Sequence, residues 1–124
     1  SLDFLSALFN ASTVKPSVLQ NRFYSETNYD RRLREFCRAN QIDYQGFWTL
    51  TTNQKILKSE EINLIADRYG RTAESIFYRA LIQLGVSPLS GTRSRLHMTE
   101  DAAVADESFV LSDAEIHLID GLLV

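Results

Sequence analysis

Residues 86–101 read VSPLSGTRSRLHMTED, and the reading of this stretch decides the fold. Val86 follows a glycine that ends a helical pattern, so 86–89 reads as a short buried strand. Pro88 and a Ser-Gly-Thr turn come next, and Gly91 permits backbone angles that a side chain would resist. Thr92 or Ser94 can cap the helix that follows, whose first N–H groups attract anions, phosphate above all. Arg93 and Arg95 add full charge and forked donors suited to phosphate. The stretch is a candidate phosphate grip at the C-terminal end of a strand. The same spacing also describes an ordinary strand-to-helix turn with solvated arginines.

Working outward, the pattern alternates. Upstream, Thr72 caps a helix over 73–84, with Ile76, Phe77, Ala80, Leu81 and Leu84 turned inward and Gly85 ending it. Before it, Ser59 caps a helix over 60–69, with Glu60 and Glu61 in the first turn, where the helix dipole favours acids. Residues 51–58 read as a loop that covers a site. Residues 42–50, IDYQGFWTL, read as a strand with Phe47 and Trp48 near its end. A helix over 29–39 is capped by Asn28 and stopped by a left-handed Asn40. Leu33, Phe36 and Cys37 form its apolar stripe, and its arginines face out. Residues 25–28 form a polar loop, 17–23 a strand, and 3–11 the first helix. Downstream, a helix over 94–105 precedes a Ser112–Glu115 capping box and a last helix over 113–123, with Ile116, Ile119 and Leu122 on one face.

Strands separated by helices imply βαβ units and a parallel sheet covered on both faces. Only three strands are expected here, whereas a (β/α)₈ barrel uses eight strands and about 250 residues. The chain has 124 residues. The expected fold is α/β: the C-terminal half of a (β/α)₈ barrel, three parallel strands with covering helices, as one segment over 1–124 with the N-terminal half absent. The abrupt start in SLDFLSALFN, the middle of an amphipathic helix rather than a signal peptide, fits a piece of something longer.

Composition narrows the class. Hydrophobic residues make up 44% and charged residues 23%, which is globular rather than disordered. A net charge of −3 argues against a broad nucleic-acid or anionic-membrane surface, so the arginines must act locally. Cys37 is the only cysteine, which excludes an internal disulfide and a Cys-rich metal site and fits a reducing, cytoplasmic setting. No apolar run approaches the roughly 20 residues of a membrane span. His97 and His117 are too few and too far apart for a metal site. Asp113, Glu115 and Asp120 read as a solvated helix face and its cap. Tyr24 and Tyr29 have no lysine or histidine at a useful spacing for acid catalysis, and Tyr24 reads as strand-end packing or pocket lining.

Five stretches then carry a resemblance. KPSVLQNRFY (15–24), GFWTLT (46–51), RTAESIFYRALIQLGVSPLSGT (71–92), HMTED (97–101) and LSDAEIHLIDGL (111–122) keep the order of the C-terminal half of an aldo-keto reductase of fungal or microbial type. The resemblance implies a barrel that binds a nicotinamide cofactor, usually NADPH with NADH possible, and moves a hydride between it and a small aldehyde or ketone. It assigns Gln20 to the nicotinamide carboxamide and Phe47 to stacking on the nicotinamide ring. Trp48 and Leu50 fall on the pyrophosphate path. Ser90, Gly91 and Thr92 fall at the turn near the adenosine 2′-phosphate, and His97, Glu100 and Asp101 surround the adenine. Two departures concern charge: Leu89 stands where the family has lysine, and His97 where it has arginine, so Arg93 and Arg95 are the candidates to supply what is missing. The family's Asp, Tyr, Lys and His catalytic set belongs to the other half, so no catalytic residue is expected here. An alternative reading is a non-catalytic relic of the fold, kept as a structural or interaction subunit. Either way an apolar sheet face is expected to need cover, from the N-terminal half-barrel or from another protein.

Overall fold

The computed structural model describes residues 1–106 and 109–124. The elements run α1 (Leu2–Ala11), β1 (Val18–Arg22), a 3₁₀ turn (Ser25–Asp30), α2 (Arg31–Ala39), β2 (Asp43–Phe47), α3 (Gln54–Leu57), α4 (Glu60–Tyr69), α5 (Ala73–Gln83), β3 (Val86–Pro88), α6 (Arg95–Val104) and α7 (Asp113–Leu122). The strands form one sheet in the order β1-β2-β3, parallel throughout. Gln20 stands opposite Gln45, and Gln45 opposite Ser87, so the three strands share one register layer. The sequence's alternation is therefore present, with α3 as an added short helix where a loop was expected.

Caps explain the boundaries that were legible. Ser59 and Thr72 accept backbone N–H groups of Ile62 and Ser75, and Gly70 closes α4 in the left-handed region. Ser112 and Glu115 form the full reciprocal capping box at α7. Two turns differ from expectation. Asn28 is not a helix cap. Asn28, Tyr29 and Asp30 take φ of 52°, 51° and 51° in succession, and α2 begins only at Arg31. Asn40 is not the left-handed stop. Its amide donates to the Phe36 carbonyl at 2.8 Å, which keeps it near the helix, and Gln41 takes the positive φ instead.

The core lies between the sheet and its helices. Phe23, Tyr44, Ile62, Ile76, Phe77, Leu81, Val86 and Ile119 are all buried there. Gly46 sits where β2 crosses this core. A Cβ on it would meet Val86 Cγ1 at 3.2 Å and Phe23 Cβ at 3.3 Å, so only glycine fits without displacement. Not every arginine of α2 faces out. Arg34 is buried and its Nε donates to the Tyr29 carbonyl at 2.8 Å, while Arg31 makes a 3.0 Å ion pair with Asp120. Of the α7 acids, Asp113 is exposed and Glu115 serves the expected cap, but Glu115 is not solvated. Glu115 is buried, accepts the Tyr69 hydroxyl at 2.8 Å and pairs with Arg68 at 2.8 Å.

The second sheet face carries no helix among the described residues, and it is not the apolar surface expected. Side chains alternate along a strand, so Gln20, Arg22, Asp43, Gln45, Phe47 and Ser87 share this face with Val18. The Gln20 amide donates to Gln45 at 3.3 Å, the Gln45 amide donates to Asp43 at 3.0 Å, and the Ser87 hydroxyl donates to Asp43 at 2.6 Å. Gln20, Gln45, Asp43 and Ser87 thus pair with one another across the strands, while the Arg22 Nε has no partner.

Candidate functional site

The C-terminal ends of β2 and β3 lie side by side, joined by the Leu89 N–H on the Gly46 carbonyl at 2.8 Å. A cleft of about 660 Å³ opens at this end. One wall is the exit of β2, from Phe47 to Thr51 with Gln54. The opposite wall is the turn from Leu89 to Thr92, and α6 adds His97, Glu100 and Asp101. The start of α5 closes the base with Thr72, Glu74 and Tyr78.

Local backbone fixes the first wall. Trp48 has φ of 61°, a region in which a bulky side chain is strained. The Thr52 N–H holds the Trp48 carbonyl at 3.1 Å, and the Thr52 hydroxyl lies 2.9 Å from the same carbonyl and 3.1 Å from that of Phe23. Asn53 is buried beside it. Its amide donates to the Thr49 and Phe23 carbonyls at 2.8 and 3.0 Å, and it accepts the Tyr29 hydroxyl at 3.0 Å. The exit of β2 is thus stitched to the exit of β1. The indole is left half exposed, edge-on to Phe47 with ring centres 6.1 Å apart.

The opposite wall is held by its own polar side chains. Thr92 accepts the Ser94 N–H at 3.0 Å, and Ser94 caps α6 by accepting the His97 N–H at 3.4 Å. Of the two candidates for the helix cap, Ser94 takes the role and Thr92 braces the turn before it. The Ser90 hydroxyl donates to Asp101, tying the turn to α6. Inside the cleft the acids Glu74, Glu100 and Asp101 face a single histidine, His97. Burial pushes the Tyr78 phenol above its usual value, so it stays protonated and neutral beneath them.

Of the residues singled out in the sequence, Phe47, Trp48, Leu50, Ser90, Gly91, Thr92, His97, Glu100 and Asp101 line this one cleft. Gln20, Arg93 and Arg95 do not. Gln20 lies on the open sheet face, bonded to Gln45. Arg93 and Arg95 are exposed, adjacent along the chain to the lining residue Thr92 and to the cap Ser94. Sequence reading missed Tyr78, Gln54, Thr72 and Glu74. Tyr78 follows Phe77 on a helix whose apolar stripe draws the eye, and only the sheet's position shows that its side chain reaches the cleft. His117 is exposed on α7, and no group of three or more His, Cys, Asp or Glu able to hold a metal occurs among the described residues. Cys37 is buried, and burial raises its thiol pKa, as befits an unreactive core position. No helix among the described residues is long and apolar enough to cross a membrane.

No family model matches the chain. A glyoxal reductase of Bacillus subtilis (strain 168) is 25% identical over 118 residues, which is 95% of this chain and 41% of that protein. An aldo-keto reductase from a Medee basin deep-sea metagenome library superposes with a TM-score of 0.82 at 20% identity, over 98% of this chain and 44% of the other. An aldo-keto reductase of the silkworm, Bombyx mori, solved in complex with NADPH, gives a TM-score of 0.76 at 19% identity, over 98% of this chain and 39% of the other. The chain thus resembles the C-terminal part of an aldo-keto reductase, and its fold is an arc of that (β/α)₈ barrel. It spans about two fifths of the length of the relatives it matches.

Proposed function

We propose that the chain is the cofactor-holding segment of an NADPH-dependent aldo-keto reductase, which reduces an aldehyde or ketone. The observation that carries this reading is the convergence of three separate stretches, 47–51, 89–92 and 97–101, on one cleft at the C-terminal edge of a parallel sheet. That edge is where barrels of this kind build their sites. The volume falls within the range of roughly 300–1,000 Å³ typical of ligand pockets.

The residues present fit a nicotinamide dinucleotide, with a division of labour set by charge. Carboxylates repel phosphate, so Glu100 and Asp101 suit the adenine amine and ribose hydroxyls rather than a phosphate. The 2′-phosphate belongs with Arg93 and Arg95, which pair with no carboxylate among the described residues. Ser90, Gly91 and Thr92 supply turn hydroxyls and backbone groups beside them. Phe47 offers a flat face for the nicotinamide, Trp48 and Leu50 shape the path between, and Gln20 reaches the carboxamide from the neighbouring strand. The bound cofactor supplies the hydride. This segment orients it, and the proton chemistry belongs to the part of the relatives that this chain does not span.

A second reading, a non-catalytic subunit built from the same fold, draws support from the open sheet face. Its Gln20–Gln45–Asp43–Ser87 chain is satisfied without a partner and tolerates water.

Titration of the protein with NADPH and NADH, followed through Trp48 fluorescence, separates the two. Saturable quenching with NADPH favoured at least about tenfold, and the preference lost in an Arg93→Ala/Arg95→Ala double variant, supports the reductase. No quenching by either nucleotide sinks it and leaves the structural subunit.

A further inference from the structure

Arg22 is a cation at the C-terminal end of the sheet to which neither the cleft nor the cofactor assignment gives work. It is the last residue of β1 and stands in register with Phe47 of β2. Its guanidinium carbon lies 4.1 Å from the Trp48 ring centre and 5.2 Å from that of Tyr24. Two aromatic faces hold it, as cation–π contacts do, and fix a planar fork in advance of any ligand. Its Nε is buried without a hydrogen-bond partner. Among the described residues no carboxylate pairs with it, the ion pairs being Arg31–Asp120 and Arg68–Glu115. The terminal amino groups are not buried and donate no hydrogen bond among the described residues, so they are the fork offered to an arriving oxyanion.

We propose that Arg22 is a specificity-determining residue that grips a carboxylate carried by the carbonyl substrate. The proposal rests on the reductase reading. Trp48 places the grip. Trp48 lines the cleft and its ring carries Arg22, so the guanidinium stands at the strand ends beside Phe47, the residue assigned to the nicotinamide. An aldehyde or ketone with its carbonyl over the nicotinamide extends any further group into this region. The planar fork matches a carboxylate with two parallel hydrogen bonds. The same chemistry exists in the cofactor's pyrophosphate, and the test separates the two sources.

The experiment uses the full natural protein and a matched pair of probes, 4-carboxybenzaldehyde and 4-methylbenzaldehyde, alike in size and differing in charge. Arg22→Leu is expected to lower kcat/KM for the carboxylate by about a hundredfold and for the methyl compound by less than about threefold, with NADPH affinity unchanged. Arg22→Lys keeps the charge without the fork and restores part of the loss. An equal fall for both aldehydes in both variants makes Arg22 structural and overturns the proposal. A fall in NADPH affinity instead assigns the residue to the cofactor and overturns it too. Calorimetric titration with benzoate reads the site without turnover. Binding that Arg22→Leu abolishes supports the grip even if no aldehyde is reduced, in which case the reductase reading alone fails. Absence of benzoate binding to the wild-type protein, with reduction of both aldehydes at similar kcat/KM, sinks the grip and leaves the reductase standing.

Discussion

Where β1 meets α2, Asp30 and Arg34 are buried and hydrogen-bonded; where β3 meets α6, Arg93 and Arg95 are exposed and form no ion pair among the described residues. On the first flank the buried Asp30 accepts the hydroxyl of buried Tyr44 at 2.8 Å and the Asn21 amide at 2.6 Å. Burial raises the Tyr44 phenol pKa, and its bond to Asp30 raises it further, so that group stays a donor. On the second flank α6 buries a single residue, Val104, whereas α2 on the first buries Arg34 and Cys37. The second flank is the less buried of the two, and its arginines Arg93 and Arg95 form no ion pair among the described residues. Elements that order around ligands are drawn from the weakly packed end of a fold.

The contrast can be broken by substitution. Asp30→Ala strands the buried Tyr44 hydroxyl and removes the partner of the half-buried Asn21 amide, and an unsatisfied buried group costs about 1–3 kcal/mol. Urea denaturation of the natural protein should show the loss as a lower midpoint, with nucleotide affinity unchanged once folded. A subtler effect is expected at Glu115. Burial opposes its ionisation, but the Ser112 N–H, the Tyr69 and Ser112 hydroxyls and Arg68 outweigh burial, so its pKa lies below the ordinary 4.5. A depressed carboxylate stabilises the fold above its unfolded pKa. That contribution disappears as pH falls from about 4.5 down through the folded value. Glu115→Gln should therefore flatten the acid limb of a stability–pH curve while changing little at pH 8 beyond a constant offset. The smallest effect is expected from Leu96→Ala on the exposed face of α6, within about 0.5 kcal/mol in the same denaturation assay. A cost at Leu96 equal to that at Asp30 would erase the distinction between the flanks.

Much of this contrast was legible before the structure, and the illegible part has a physical origin. Local signals located the helices: Ser59, Thr72 and the Ser112–Glu115 box act within one turn, so short-range sequence identifies them. The cleft walls 47–50 and 90–92 were legible too, through strand ends and a family resemblance rather than spacing alone. What failed depends on tertiary partners. Asn28 has the chemistry of a cap, yet the Tyr29 hydroxyl on Asn53 and the Asp30 bonds to Tyr44 and Asn21 draw three residues into the left-handed region. Arg34 looked outward on a helical wheel, but the Tyr29 carbonyl in that same turn captures it. The open sheet face looked apolar by architecture, and cross-strand bonds between Gln20, Gln45, Asp43 and Ser87 make it polar. Arg22 carried no signal because its meaning depends on Trp48, 26 positions away in sequence and 4.1 Å away in space.

The central claim is that the loosely packed flank is the cofactor side. Amide hydrogen exchange on the natural protein, with and without saturating NADPH, tests it most directly. The account predicts new protection over 90–101 and at 47–51, with 31–39 unchanged because that helix is already held. Protection that is absent over 90–101, or spread evenly across 31–39 as well, would contradict it.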